Sequence, residues 1–368
     1  MSSATETSDT DSASLPALAG RVVISVDAMG GDHGPAAVVA GLALSADKNP
    51  DIAFILHGRG SELRPLVEKR GLADRCVIRD VPGVVAMDDK PAHVMRHGKD
   101  TSMWSTIEAV KRGEALVAVS CGNTGALMAV SMIRLRKLEG VNRPAIACLW
   151  PSRNPSGFNI MLDVGADIRA DQQDLLQYAL MGVSYARNGL ELERPRVGLL
   201  NVGTEETKGR AELKVAHDMI QAAAEEAEFD FAGFVEGGDI PGDRVDVIVT
   251  DGFTGNIALK TGEGTAKLIG DLLTGAFKHS PLSRLAALLA LTSLKRFKKR
   301  IDPRRVNGGV FLGLNGTVVK SHGGADATGI SAAIKLAFQL GRSGFSDRLA
   351  ARLASVSGAG QDEPLNKE

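Results

Sequence analysis

LVAVSCGNTG, residues 116–125, is the stretch from which the fold can be read. Its first five residues form a largely apolar run of the kind expected of a strand covered on both faces. The run stops at a turn, and Asn123-Thr124-Gly125 has the composition of a helix start, followed by a helical pattern over 125–138. Strand, glycine turn and helix in that order are the repeating unit of a parallel α/β sheet. The order recurs on both sides. Similar runs lie at 22–26, 52–56, 146–149, 159–162, 197–201, 231–235 and 245–250, and helical patterns at 35–47, 104–112, 172–187, 207–227 and 254–277. This alternation predicts an α/β fold, a Rossmann-like parallel or mixed sheet flanked by helices. No Pro/Gly/Ser linker divides the middle, so residues 20–355 read as one α/β catalytic domain, or as two lobes sharing a sheet.

In open sheets of this kind ligands bind at the C-terminal ends of strands. Three such ends stand out: DAMGGDHGP (27–35), CGNTG (121–125) and DGFTGN (251–256). Each is a glycine-bearing turn presenting backbone N–H groups at a helix start, which suits an anion. Each also has a plainer reading as a helix cap without a ligand. Three in one sheet favour a phosphate-like ligand. His33 beside Asp32 reads as a turn pair rather than a metal ligand, and no metal is expected. Cys121, with no neighbouring histidine to activate it, reads as a small packing residue rather than a nucleophile. Lys99 and Ser102 precede a helix, where one could neutralise a phosphate and the other donate to it.

What the chain lacks narrows the class. It has no G-x-G-x-x-G, no Walker G-x-x-x-x-G-K-[ST], no H-E-x-x-H and no G-x-S-x-G. Lys+Arg number 43 against 44 Asp+Glu, a net charge of −1 that argues against a nucleic-acid grip. The 42 glycines exceed the roughly 26 expected at average usage, in keeping with many tight turns. Three scattered cysteines point to a reducing, cytoplasmic setting. Residues 1–19, rich in Ser and Thr, read as a disordered tail without signal-peptide character, and 356–368 as a second tail.

One segment breaks the even charge balance. From Lys278 to Arg305 there are nine basic residues and one acid, Asp302, behind a leucine-rich start at 281–291. Read as an amphipathic helix, it suits an anionic membrane surface, contacted by Leu285, Leu288, Leu289, Lys295 and Arg296. A core or dimer-packing helix with a solvated basic end fits the same pattern. So does a docking patch for an acidic protein.

The stretches VDAMGGDHGP (26–35), GKDTSM (98–103), SCGNTGALMA (120–129), MLDVGA (161–166), GLLNVGTEETKG (198–209) and DVIVTDGFTGNIALK (246–260) closely resemble the bacterial PlsX family. These are acyl-[acyl-carrier protein]:phosphate acyltransferases. The likeness runs in order from about residue 22 to 340. It implies transfer of an acyl group from acyl-carrier protein to inorganic phosphate, giving an acyl phosphate that feeds phospholipid synthesis. The next enzyme would be a glycerol-3-phosphate acyltransferase of the membrane. The resemblance also implies a fold similar to the isocitrate/isopropylmalate dehydrogenase and phosphotransacetylase group, a homodimer, and a cytoplasmic protein peripherally associated with membrane. Two positions depart from the family: Cys121, where alanine is usual, and Thr204, where an acidic residue is common.

On these positions the chemistry distributes itself as follows. Phosphate is already a nucleophile and a thiolate leaves well, so holding and orienting the reactants is the main task, with no cofactor consumed. The N–H groups of Gly122–Gly125, with Asn123 and Thr124 donating from their side chains, would hold phosphate beside Gly30 and Gly31. Lys99 and Ser102 would add a charge and a hydrogen bond. Asp27 and His33 would orient phosphate or handle its proton. Asn256 and Lys260 would close the site or meet the carrier's phosphopantetheine arm. Rival readings are a phosphotransacetylase-like enzyme using acyl-CoA and a non-catalytic scaffold at the membrane.

Overall fold

The computed structural model describes residues 18–205, 207–301 and 308–359. The chain divides into two compact units, one built from residues up to Arg136 with Leu314–Gly344, the other from Lys137–Gly313 with the chain from Phe345 onward. Strands and helices are numbered along the chain.

The first unit holds β1 (Val22–Asp27), α1 (Gly34–Ala46), β2 (Ile52–Gly58), α2 (Gly60–Lys69), β3 (Cys76–Asp80), α3 (Pro91–His97), α4 (Ser102–Lys111), β4 (Val117–Ser120), α5 (Thr124–Arg134), β11 (Thr317–Lys320) and α11 (Ala327–Ser343). Its strands run β3-β2-β1-β4-β11, with every pair parallel. The fully buried β2 and β4 explain why their sequences are apolar almost throughout. Side chains alternate across the sheet. Val22 and Val117 meet α11 at Gly341, whereas Ser25 on the other face bonds the Thr106 carbonyl of α4. Leu18, placed in the tail by sequence, is buried among Ala53, Ile55, Val77, Ala109 and Ala115.

The second unit holds β5 (Ala145–Pro151), β6 (Phe158–Leu162), α6 (Gln172–Leu190), β7 (Arg196–Leu200), α7 (Ala211–Ala223), β8 (Asp230–Val235), β9 (Val247–Val249), α8 (Gly252–Lys278), α9 (Pro281–Leu289), α10 (Leu291–Ile301), β10 (Gly309–Leu312) and α12 (Phe345–Ala359). Its strands run β10-β5-β6-β9-β7-β8. The first two pairings are antiparallel and the others parallel, so the sheet architecture is mixed. Helix α6 starts at a reciprocal Asp171/Asp174 capping box and buries Leu175, Tyr178, Met181 and Tyr185. Helix α8 is 27 residues long and buries only Gly252 and Gly255. The leucine-rich segment forms two helices, α9 and α10, that part at Ala290. Residues 302–307 of the basic segment lie outside the described residues, as do 1–17 and 360–368 of the two tails, while 356–359 belong to α12. Among the described residues no helix is long and apolar enough to cross a membrane.

Candidate active site

In the first unit, β1 ends on Asp27, and the turn after it folds around that carboxyl. Ser102 Oγ donates to Oδ1 and Ser120 Oγ to Oδ2, both at 2.7 Å. The backbone N–H groups of Met29 and Gly30 donate to Oδ1 at 3.3 and 3.2 Å. Burial pushes the Asp27 carboxyl above its ordinary value, against the opposing pull of these four donors. Gly30 is required here because a Cβ would stand 2.7 Å from both Asp27 Oδ2 and Gly122 N. One carboxyl therefore ties together the ends of β1 and β4 and the start of α4.

Beside it the 121–125 turn opens α5. Asn123 caps the helix, its Oδ1 accepting from Ala126 N–H at 3.0 Å. Its amide donates to the carbonyls of Met87 and Asp89 at 2.8 and 3.0 Å. Thr124 and Gly125 are exposed at the first turn, where helix geometry leaves their N–H groups without an intrahelical acceptor. The loop after β11 completes this edge: Ser321 N–H bonds the Ser120 carbonyl, and Gly323 accepts from Asp32 N–H at 2.8 Å. Burial raises the Cys121 thiol, consistent with a packing role.

These contacts revise several roles expected from sequence. Asn123 is a cap and a strap, with both amide N–H groups already engaged by the Met87 and Asp89 carbonyls. Ser102, 1% exposed, serves Asp27 instead of a ligand. Asp27 is buried and organises the loops around it. Lys99 turns to a surface hollow of about 370 Å³ shared with Arg79, Trp104, Ser105, Glu108, Arg112 and Arg134. His33 is the exposed N-cap residue of α1 and makes no side-chain capping bond. Gly31 packs between Cys121 and the Gly323 carbonyl at φ +95°, and so shapes the turn.

The second unit builds a similar device. β6 ends on Leu162, and the following Asp163 is buried. Its carboxylate accepts N–H bonds from Ile146 (2.8 Å), Gly165 (3.2 Å), Ala166 (2.9 Å to Oδ2) and Asp167 (2.6 Å). Burial raises this carboxyl too, against those backbone donors. Asp251 caps α8 through Thr254 N–H at 2.9 Å and pairs with Arg210 at 2.6 Å. A Cβ on Gly255 would overlap the Asp163 carbonyl oxygen, so α8 can approach this loop only with glycine there. Asn256 donates to the Val164 carbonyl at 3.1 Å, which makes it a brace for the Asp163 loop. Lys260, exposed on α8, pairs with Glu263 at 2.8 Å.

Sequence reading did not single out Ser120, Asp163, Lys320 or Ser321 as site residues. Asp163 follows an apolar run just as Asp27 does, which was a usable signal. KSHGGAD (320–326) also offers a glycine turn before a capped helix, after the strand run TVVK that sequence reading passed over between two glycine-rich stretches.

Comparison with known proteins decides the family. The fatty acid synthesis protein family model matches residues 22–348. Curated phosphate acyltransferases of Paracoccus denitrificans (73% identical, covering 95% of this chain and 96% of that protein) and Jannaschia sp. (74%, covering 92% and 93%) align over nearly their whole lengths. The chain belongs to the PlsX family of phosphate acyltransferases. It is therefore an acyltransferase enzyme of fatty acid and lipid synthesis. The phosphotransacetylase of Streptococcus pyogenes shares its fold at a TM-score of 0.59 with 18% identity, covering 90% of this chain and 97% of that one. The EutD phosphotransacetylase of Staphylococcus aureus does so at 0.56 with 16% identity, covering 91% and 100%. The expected likeness to the phosphotransacetylase fold is thus present, and this acyltransferase builds it from the two units described above.

Proposed function

We propose that this acyltransferase moves the acyl group of an acyl-[acyl-carrier protein] to inorganic phosphate. Phosphate attacks the thioester carbonyl, a carbon–oxygen bond forms, the carbon–sulfur bond breaks, and the carrier leaves as a thiolate that takes up a proton. The observation that carries the reading is the 121–125 turn, where the exposed start of α5 presents backbone donors beside loops held by the buried Asp27. Such a site suits an anion and needs no side-chain nucleophile. To His33, exposed at the start of α1, we assign the handling of phosphate's proton. Acyl phosphate is an activated acyl donor, and we assign it to phospholipid synthesis, for consumption by a glycerol-3-phosphate acyltransferase of the membrane.

The same reading places the enzyme in the cytoplasm, as a homodimer that touches anionic membrane. Leu282, Leu285, Leu288 and Leu289 of α9 are 54–83% exposed, and Lys295 and Arg296 of α10 are exposed as well. Leu268 and Leu272 offer apolar surface on α8 for a second copy. Thiol release on adding phosphate, measured in parallel with acyl-carrier protein and acyl-CoA, tests the reaction. Release from the carrier protein is expected; release from acyl-CoA alone, or from neither, refutes the assignment. For the membrane role, equal liposome flotation of wild type and a Leu288→Glu/Leu289→Glu variant would refute direct lipid contact.

A further inference from the structure

Three neighbouring strands of the first unit end in one row of polar residues. Asp27 on β1 is in register with Ser120 on β4, and Ser120 with Lys320 on β11. Lys320 is 9% exposed. Its ammonium donates to the Cys121 carbonyl at 3.2 Å and to the Ser321 carbonyl. The peptide between Cys121 and Gly122 is gripped from its other end as well. Gly122 N–H donates to Ser120 Oγ at 3.0 Å, and Ser120 Oγ donates in turn to Asp27 Oδ2 at 2.7 Å.

Every proton in this series points the same way. It runs from a cation, through one peptide group and one hydroxyl, to a carboxyl that Ser102 holds from the far side. Hydrogen bonds aligned head to tail polarise one another, and burial strengthens them. Charged ends make the terminal bonds stronger than neutral ones. The peptide so fixed is the first of the 121–125 turn. It begins the turn that leads to the N–H groups of Thr124 and Gly125, two and three residues beyond Gly122.

We propose that Lys320 is a positioning residue for phosphate, acting through the Cys121–Gly122 peptide and the Ser120–Asp27 pair. The inference rests on the assignment of phosphate to the 121–125 turn. Lys99, whose side chain lines a separate hollow, does not take this part. Side-chain length alone would not do the work. A methionine at 320 would fill similar space but would neither hold the Cys121 carbonyl nor polarise the peptide toward an incoming anion.

The test is steady-state kinetics of the full chain with inorganic phosphate and acyl-carrier thioester varied independently. Lys320→Met is expected to raise KM for phosphate about tenfold or more, while KM for the thioester stays within about twofold. Lys320→Arg, which keeps the charge and the donors, is expected to recover most of that loss. Ser120→Ala cuts the series in the middle without touching the lysine, and should also raise KM for phosphate. An unchanged KM for phosphate in Lys320→Met overturns the proposal, as does equal damage in the Met and Arg variants or a parallel rise in both KM values. If Lys320→Met does not fold, Ser120→Ala decides: a wild-type KM for phosphate there overturns the proposal. The wild-type chain is read separately. Its failure to release thiol on phosphate addition would refute the transfer reaction itself, whereas normal wild-type turnover with unaffected variants would refute only the role of Lys320.

Discussion

Asp27 and Asp163 solve the same problem with different materials. Each is a buried carboxyl just beyond a strand, and each folds the next loop around itself. Asp27 draws on two serine hydroxyls from elsewhere in the chain and two backbone N–H groups at 3.2–3.3 Å. Asp163 is held by backbone N–H groups alone, from Ile146, Gly165, Ala166 and Asp167. Hydroxyls rotate and can find water when their acceptor goes, but peptide N–H groups locked in a tight loop cannot. The first loop can therefore be tuned by mutation at several positions. The second depends on its aspartate and on the glycines packed against it.

The largest expected effect separates the two directly. Asp163→Ala strands four backbone donors and is expected to destabilise the chain by about 3–5 kcal/mol, against about 2–3 kcal/mol for Asp27→Ala. Urea unfolding of both variants measures the difference, and equal or reversed losses would break the contrast. Next in size, Ser120→Ala removes a donor to Asp27 and an acceptor for Gly122 N–H, so a loss of about 1–3 kcal/mol is expected. Ser102→Ala removes only one bond to Asp27 and should lose less, about 1 kcal/mol. The same unfolding series ranks them, and a costlier Ser102→Ala would mean that the Gly122 contact contributes nothing.

The smallest effect is one of pH. Burial holds the Asp27 carboxyl above its ordinary 3.8, so the folded chain binds that proton more tightly than the unfolded chain does. Its contribution to stability is full below 3.8 and falls as pH rises through the higher folded value. Asp27→Asn cannot ionise and should lack this fall. The variant is therefore expected to be most disadvantaged at low pH and to close on wild type as pH climbs. A gap that widens with pH in paired unfolding curves would show that the four donors outweigh desolvation.

Much of this was legible in the chain. All eight strands expected from apolar runs are present, because strands such as β2 and β4 are buried along their whole length and carry the matching composition. The strands that escaped are CVIRD, with one buried residue, and GVFL and TVVK, which sit among the glycines of NGGVFLGLNGTVVKSHGG. Loop positions were legible for the same reason, since a glycine turn must follow a strand end. Roles were not. Asn123, Ser102 and Asp27 have the chemistry to touch a ligand, and only their distances reveal that they are spent on one another and on the backbone. The leucine-rich segment read as one helix because its apolar and basic residues continue past Ala290, where the structure divides it.

The cysteines gain a use from their burial. Cys121 in the first unit and Cys148 in the second are free thiols, 4% and 7% exposed, with the Cys148 thiol pushed up to about 12 by burial and the Cys121 thiol also raised. Alkylating reagents need an accessible thiolate, so near neutral pH each sulfur reacts when its surroundings open. Cys121, which shares the first unit with the half-buried Cys76, and Cys148, alone in the second, make the chain its own pair of clocks. Mass spectrometry of labelled peptides can time the opening of either unit without a single added probe.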